Sequence, residues 1–560
     1  MNDTTTPDVE VILLGGPIRT VDVSRPTAEA VAIGAGRILA VGTRDEVLAL
    51  QTAATEVIDR RDACVLPGLI EPHTHPDLCA QCYAWVDVSG FTHPHVDGVE
   101  RALREAVAAT PAGEWVFAFG LDPMLTAEIG VFGRKRLDAL APDHPVAVMI
   151  QSMHTVFVNS AAFRAAGVDE NTPDPPGGGR FQRDADGRLT GKVEEAAAIL
   201  PVLRFDDPSP AERSERMWAQ YQRYADAGLT TIGIPGLFTP MSTLDVFGEF
   251  AGRADVPLRT VAYLRHQQVD QVDWKPGFGD DYFRVEGVKL WYDGSPYSGT
   301  MLLDEPYLES RLCCCTLGIP AGTTGHANFE PGELAETLTS LHADGWQVLT
   351  HVQGDRGARE ILDLYQAALG SSDRKDHRWR LEHCALIESD QLERAERLGV
   401  TPSFHINHVY YYGPELRDDI LGPERAERLM PVGSALRAGH RVSLHADSPM
   451  YPPEPLRLMR TAVTRRTRTG ERIAPHEAIS SEQALRAVTI DAAWQLRAEQ
   501  RVGSIEAGKL ADFTIVDRDP VAIDPDELDQ IRVLETWIGG RRRMPAEPVR
   551  RFTPERGASS

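Results

Sequence analysis

Short apolar segments alternate with segments of helical periodicity through the middle of the chain. Amphipathic stretches such as ELAETLTSLHADG and SDQLERAERLG lie between apolar runs that each end in a polar residue and a loop. This alternation is typical of parallel strands joined by helices, and eight strands is the number in a (β/α)8 barrel. The eight runs are LPGLIEPHTH, TTIGIPG, LRTVAYLRH, VEGVKLWYDG, WQVLTHVQG, WRLEHC, VTPSFHIN and RVSLHADS. The pattern predicts an α/β protein whose TIM barrel spans residues 67–499.

Both ends of the chain have a different pattern, in which apolar segments are separated by turn residues. At the beginning these segments are VEVILLGGPIRTVD and AEAVAIGAGRILAVG, and towards the end they are KLADFTIVDRDP and RVLETWIGG. Such spacing is typical of a small antiparallel β-domain. We expect residues 1–66 and 500–550 to form one composite β-sandwich.

The gap between the first two predicted barrel strands is too long for a single connection. It contains its own strand signals, EWVFAFG and HPVAVMIQSMH. We therefore expect residues 78–226 to form an inserted α+β subdomain that shapes the substrate pocket.

Composition excludes several classes of protein. The chain has 560 residues, 42% of them hydrophobic and 25% charged, which is an ordinary globular balance. A net charge of −24 would repel nucleic acid, and no apolar run reaches the roughly 18 residues that span a bilayer. An acidic N-terminus without a signal peptide and an odd number of cysteines, seven, favour the cytoplasm. The sequence leaves open whether copies of the chain form a homo-oligomer.

Two histidines end the first predicted barrel strand, in LPGLIEPHTH. His73 and His75 are two residues apart, so on a strand their side chains would point to the same face. Two convergent imidazoles are suited to binding a divalent metal ion. Taken alone, the pair could equally be two surface histidines.

A lysine lies inside the apolar part of the fourth predicted strand, VEGVKLWYDG. Only six of the 58 cationic residues are lysines, so a lysine at position 289 within an apolar strand points to a specific role. Burial pushes an amine towards its neutral form, and a neutral amine can react with carbon dioxide to give a carbamate that bridges two cations. The alternative is an ordinary salt bridge of Lys289 with Asp293 or Glu286.

Three more strands end in possible metal ligands. His351 ends the fifth strand, His383 ends the sixth, and Asp447 ends the eighth. In a parallel barrel the carboxyl ends of all strands meet at one rim. Any one of these residues could be an ordinary polar strand end, but their joint occurrence favours a metal centre. The three consecutive cysteines Cys313 to Cys315 are an alternative set of metal ligands. On a strand, the side chains of adjacent cysteines would point to opposite faces, so we interpret this run as structural.

These motifs together resemble the amidohydrolase superfamily, and within it amidohydrolase family 3, the YtcJ-like group. The resemblance extends from LPGLIEPHTHPD through VKLWYDGSPYSGT, LTHVQGDRGAREILDLY, RLEHC and HADSP to GSIEAGKLADFTIVDRDP. It implies a urease-like composite sandwich joined to the barrel, and a metal-dependent hydrolase of C–N bonds similar to deformylases of N-substituted formamides. The implied metal ligands are His73, His75, Lys289 in carboxylated form, His351, His383 and Asp447.

The expected chemistry follows from such a centre. One or two divalent cations, zinc first and Mn, Fe or Co as alternatives, would activate a water to hydroxide at neutral pH. Asp447 would act as general acid and base, with Lys289 and His383 completing the catalytic set. Ester or carbamate hydrolysis, decarboxylation and isomerisation remain alternatives on the same centre. A non-catalytic scaffold is a further alternative, although none of the expected ligands is missing.

The expected small-molecule substrate would be contacted by side chains around this rim. His154 resembles a family position at which a histidine of the insertion faces the metal site. His405 and His408 lie at the end of the seventh strand, and Asp122 and Tyr410–Tyr412 are further candidates for the pocket. The sequence around Asp122 reads GLDPM and departs from the commoner GWD motif of the group.

Overall fold

The computed structural model of the chain describes residues 8–126, 129, 132–176, 178–203, 208–237, 243–370 and 376–545. In these ranges the strands belong to three sheets: a parallel barrel sheet, a sheet built from both ends of the chain, and a sheet between the first two barrel strands. The outermost parts of the predicted sandwich, residues 1–7 and 546–550, lie outside the described residues.

The barrel sheet contains all eight of the predicted strands, each parallel to its neighbours. The predicted fold class is therefore confirmed. We name these strands barrel strands 1 to 8 in chain order: Leu69–Glu71, Leu229–Pro235, Arg259–Arg265, Phe283–Trp291, Gln347–Val352, Arg380–His383, Thr401–Phe404 and Ser443–Leu444. A two-residue strand, Phe278–Gly279, pairs antiparallel with barrel strand 4.

Barrel strands 1 and 8 are joined without a ladder between them in the described residues. Instead, the carboxylate of Glu71 accepts a hydrogen bond from the backbone N–H of Ala446 at 2.9 Å. The N–H of His75 donates to the carbonyl of Ser448, also at 2.9 Å. A buried side chain thus takes the place of strand pairing at the seam of the barrel.

Helices cover the outside of the barrel and bury its apolar surface. Both helices predicted from periodicity are present, as Pro331–Ala343 and Ser389–Leu398. The second ends at Gly399, whose φ of 74° is readily adopted by glycine. The other helices that flank the barrel are Pro210–Asp226, Thr243–Ala251, Asp355–Leu369, Asn407–Glu415, Pro423–Ala426, Val432–Arg437, Pro455–Thr464, Ser481–Ala487 and Ile490–Gln495.

The terminal sheet takes strands from both ends of the chain. Phe513–Val516 pairs antiparallel with Cys64–Pro67, which continues through Gly68 into barrel strand 1. The other strands are Val11–Arg19, Thr27–Gly34, Arg37–Gly42, Glu56–Arg60, Val533–Ile538 and Arg541–Arg543. A buried ion pair, Arg259 with Asp512 at 2.6 Å, fastens this sheet to the barrel. The sheet thereby fixes the chain just before His73 and His75.

A third sheet lies within the predicted insertion. Its strands are Val86–Asp87, Val116–Leu121, Val146–Ile150, Thr155–Val158, Arg180–Arg183 and Leu189–Glu194. Helices Val96–Ala109, Arg134–Leu140, Ser160–Ala166 and Glu195–Leu203 pack around it. The junction between strand Leu189–Glu194 and the helix that follows reaches the barrel rim.

Two further observations concern the cysteine run and the predicted absence of a membrane-spanning segment. The run Cys313 to Cys315 lies in the helical turn Leu312–Leu317 and not on a strand, so our geometric reason for setting it aside was wrong. Cys313 is buried, while Cys314 and Cys315 are exposed. In the described ranges, every helix is too short or too polar to cross a lipid bilayer.

Candidate metal centre and active-site cavity

The carboxyl ends of barrel strands 1, 4, 5, 6 and 8 bring the predicted metal ligands together at one rim. Barrel strand 1 ends at Glu71, so His73 and His75 lie in the bend that follows it. The prediction that His73 and His75 point the same way because they alternate along a strand is therefore wrong. They converge because the bend leads directly into helix Pro76–Cys82, for which His75 is the residue before the first turn.

Asp447 is the point on which the imidazoles converge. Its Oδ1 lies 3.5 Å from Nε2 of His73 and 3.3 Å from Nε2 of His75. Its Oδ2 lies 3.8 Å from Nδ1 of His383 and 4.0 Å from Nδ1 of His405. One donor atom from each of His73, His75 and Asp447 falls within 4.8 Å of the others, a spacing that suits ligands of one cation.

The protonation states also suit a cation. Burial holds the pKa of His73, His351 and His383 well below the ordinary histidine value, so their nitrogens keep a lone pair at neutral pH. Burial alone would raise the pKa of Asp447, but His75 and the neighbouring imidazoles hold it below its ordinary value. Neutral imidazoles around an ionised carboxylate are a donor set for zinc and similar divalent metals.

His351 is oriented by the loop that follows barrel strand 4. Its Nε2 lies 3.2 Å from the carbonyl oxygen of Gly294 and 3.7 Å from Oδ1 of Asp293. The Nδ1 atom is therefore the ring nitrogen left for a ligand. Asp293 is itself fixed, because it accepts hydrogen bonds from the backbone N–H groups of Leu302, Gln353 and Gly354.

Lys289 is completely buried beneath this cluster. Its Nζ has no hydrogen-bond partner among the described residues and lies 5.2 Å from the centre of the Trp291 ring. Burial lowers the pKa of the amine to about 8, so a reactive neutral fraction exists near neutral pH. The alternative salt bridge is not seen, because Glu286 pairs with Arg284 at 2.6 Å and Asp293 is taken up by backbone N–H groups.

Two residues close to predicted ligands in the chain, Glu382 and His445, were not predicted from the sequence. Glu382 precedes His383, and its carboxylate accepts from Nδ1 of His73 at 2.5 Å and from Arg380 at 2.6 Å. His445 lies two residues before Asp447, and its Nε2 is 3.2 Å from Nδ1 of His383. The only signal for either was its place in the motifs RLEHC and SLHADS.

A cavity of about 1080 Å³ opens onto the cluster. His73, His75, His351, His383, His405 and Asp447 line its floor. The insertion contributes much of the lining, including an apolar part formed by Trp85, Met149, Met153, Ile199, Leu200 and Leu203. The insertion therefore faces the candidate metal centre across this space, chiefly through helix Glu195–Leu203.

His154 projects from the insertion into the same cavity. Its ring centre is 5.4 Å from that of His351, and its Nδ1 lies 2.9 Å from Oε2 of Glu195. Burial alone would lower the pKa of His154, but the Glu195 carboxylate and its hydrogen bond raise it above the ordinary value. Burial would likewise raise the pKa of Glu195, and the contact with His154 lowers it instead.

Of the other residues predicted to contact substrate, only some line the cavity. His405 lines the cavity, whereas His408 and Asp122 lie outside its described lining. The Nδ1 atom of His408 is 2.7 Å from the Tyr297 hydroxyl, and Asp122 accepts a hydrogen bond from the Tyr412 hydroxyl. Tyr411 stacks on another tyrosine, Tyr451, at 4.6 Å. The tyrosine run thus packs behind the rim.

Comparison with known proteins agrees with this architecture. Residues 56–543 match a family described as the amidohydrolase family. N-substituted formamide deformylase of Arthrobacter pascens is 30% identical over 549 residues, covering 95% of this chain and 97% of the relative. Putative amidohydrolase YtcJ of Bacillus subtilis (strain 168) is 26% identical, covering 95% and 99%. The crystal structure of an uncharacterised metal-dependent hydrolase from Pyrococcus horikoshii shares the fold with a TM-score of 0.72 at 21% identity, covering 92% of this chain and 99% of that one.

Proposed function

Because the chain belongs to the amidohydrolase family, we propose that it is a metal-dependent hydrolase that cleaves the C–N bond of a small amide. The observation that supports this most strongly is the convergence of His73 and His75 on Asp447 at the floor of a large cavity. The histidine and aspartate side chains that follow or end barrel strands 1, 5, 6 and 8 are of types that bind divalent cations, and Lys289 of barrel strand 4 would bind them in carboxylated form.

The residues that would hold the metal are His73, His75, Lys289, His351, His383 and Asp447. We infer one or two divalent cations, zinc first, with Mn, Fe or Co as alternatives. A binuclear centre needs an anionic bridge, and carboxylation of Lys289 would supply it. The buried amine without a hydrogen-bond partner among the described residues is the observation that supports this modification.

The side chains have separate parts in hydrolysis. A bound cation would polarise the scissile carbonyl and lower the pKa of a nearby water towards neutrality. Asp447 accepts the proton of that water on a carboxylate oxygen and returns it to the leaving nitrogen. His383 and Lys289 complete the proposed catalytic set: Nδ1 of His383 lies 3.8 Å from Oδ2 of Asp447, and Lys289 is fully buried. His154 and His405, which both line the cavity, would contact the substrate.

The preferred substrate class is an N-formyl amine with an apolar substituent. The deformylase relative acts on N-substituted formamides according to its name, and it aligns with nearly the whole chain. A formyl group is small enough to lie among the imidazoles at the floor. The apolar wall of the insertion, which includes Trp85, Met153 and Leu200, would then bind the amine substituent.

Other uses of the same centre remain as second candidates, namely ester or carbamate hydrolysis, decarboxylation and isomerisation. A non-catalytic scaffold is disfavoured, because the sequence contains every expected ligand residue and His73, His75 and Asp447 lie close enough to hold one cation. A cytoplasmic location stays a prediction from the sequence. Whether copies of the chain form a homo-oligomer stays open.

The proposed function can be tested on the purified protein. Metal analysis should find at least one divalent cation for each chain, and chelation should abolish turnover that zinc restores. A panel of N-formyl, N-acetyl and aryl amides, read out by released amine, should identify the acyl group. Absence of metal would support the scaffold, and turnover of esters in place of amides would support the second candidates.

A further inference from the structure

Glu195 has an unusual backbone conformation at the edge of the cavity. It is the first residue of helix Glu195–Leu203, directly after strand Leu189–Glu194, and its φ is 61°. Non-glycine residues rarely adopt this left-handed region, and they persist there when surrounding contacts fix them, often at functional sites. The contacts that fix Glu195 are therefore informative.

Most of these contacts lead to His154. The backbone N–H of Glu195 donates to the carbonyl oxygen of His154 at 3.1 Å. Its Oε2 lies 2.9 Å from Nδ1 of the same histidine. The other carboxylate oxygen, Oε1, accepts from the Thr300 hydroxyl at 2.6 Å. The left-handed backbone thus turns both the amide and the side chain of Glu195 back towards one residue.

The barrel leaves room for this arrangement. A Cβ atom on Gly294 would lie 2.0 Å from Oγ1 of Thr300 and 2.6 Å from Oε1 of Glu195, so only glycine fits there. The carbonyl of Gly294 also lies 3.2 Å from Nε2 of His351. One turn of backbone after barrel strand 4 therefore contacts both a candidate metal ligand and the Glu195 carboxylate.

We propose that Glu195 is a positioning residue, which holds the imidazole of His154 so that its Nε2 edge meets the substrate above the metal centre. A carboxylate accepts hydrogen bonds and does not donate them, so it fixes the proton on Nδ1 of His154. Nε2 is then the ring nitrogen left for the cavity that His154 lines. The inference rests on the proposed function, because it assigns Glu195 to the same reaction.

A purely structural role makes different predictions. Through Thr300, Glu195 also ties the insertion to the barrel, and loss of that tie alone would lower stability without depending on His154. If Glu195 acts through His154, its replacement should have no further effect once the imidazole is gone. A double-mutant cycle separates these roles.

The cycle uses Glu195→Gln, His154→Ala and the double variant, each assayed on the substrate found in the amide screen. We expect Glu195→Gln to lower kcat by about 10²-fold, a typical cost of misplacing a contact group, with metal content unchanged. In the His154→Ala background the same change should cost less than about twofold. Glu194→Gln is the matched control: Glu194 is also buried but pairs with Lys192 at 2.7 Å outside the cavity lining, so kcat should stay at the wild-type value.

Effects that multiply in the double variant, or metal lost in step with activity, would overturn the inference. A crystal structure of Glu195→Ala gives a reading that needs no substrate: the His154 ring should rotate away from its wild-type position while the barrel is unchanged. An unmoved ring would also overturn the inference. If the wild-type protein cleaves no amide, the proposed function fails, and the position of this ring still decides what Glu195 does.

Discussion

Glu382 accepts a hydrogen bond from Nδ1 of His73, with the two atoms 2.5 Å apart and both side chains excluded from solvent. Nε2 of His73 is thereby fixed as the nitrogen that faces Asp447. The second oxygen of Glu382 is held by Arg380, so the carboxylate itself cannot rotate. A carboxylate behind a ligating histidine fixes the tautomer and raises the basicity of the ring.

Replacing Glu382 with Gln should therefore weaken metal binding while leaving the barrel folded. We expect the metal dissociation constant to rise by about 10- to 100-fold, as is typical when such a supporting carboxylate is lost. A competition titration with a coloured chelator measures this. Glu286→Gln is the control, since Glu286 is a buried glutamate of barrel strand 4 that pairs with Arg284 and lies outside the cavity lining. Equal affinities for wild type and Glu382→Gln would contradict the assigned role.

Asp447→Asn should separate proton transfer from binding. An amide has nearly the same shape as the carboxylate but accepts no proton, so turnover should fall by about 10²-fold or more. The fold and much of the bound metal should remain. Steady-state kinetics with metal analysis of the same sample check both statements. Near-normal turnover on a confirmed substrate would show that Asp447 is not the proton carrier.

Glu71→Ala should destabilise the seam of the barrel. The Glu71 carboxylate accepts from the backbone N–H groups of His73 and Ala446, and its removal leaves both donors buried without that partner. An unsatisfied buried donor costs about 1–3 kcal/mol, so the melting temperature should fall measurably. Glu56→Ala, at an exposed position, is the control for thermal denaturation and should melt like the wild type. A Glu71→Ala protein with wild-type stability would mean that the seam is held by other contacts.

The sequence was sufficient to predict the barrel and the histidine and aspartate side chains that meet at its rim. Most barrel strands are short apolar segments with a polar residue at or just after their carboxyl end, and parallel strands bring these ends to one rim. Glu195 and Glu382 could not be found in this way, because a buried carboxylate that acts on a distant histidine leaves no periodic signal. Asp122 was placed in the pocket from its motif, but the structure turns it towards Tyr412. Such contacts depend on packing between segments far apart in the chain.

Two buried lysines, one with hydrogen-bond partners and one without any among the described residues, allow a matched test of carboxylation. Lys192 donates to the carbonyl of Leu317 at 2.9 Å and pairs with Glu194 at 2.7 Å. Lys289 is equally buried but has no hydrogen-bond partner on Nζ among the described residues. A bridging carbamate on Lys289 would explain why its amine is kept apart from the carboxylates around it.

Lys289→Ala should then lose metal as well as activity, because the site loses an anion that it needs. Small carboxylic acids in excess should partly restore both by entering the vacated volume. Lys192→Ala should instead be less stable but keep its metal, and added acid should have no effect on it. Since a carbamate is lost in acid, electron density beyond Nζ in a metal-loaded crystal is a better reading than intact mass. Density that ends at Nζ at full metal occupancy would remove the bridge and leave a single-metal site at His73, His75, His351, His383 and Asp447.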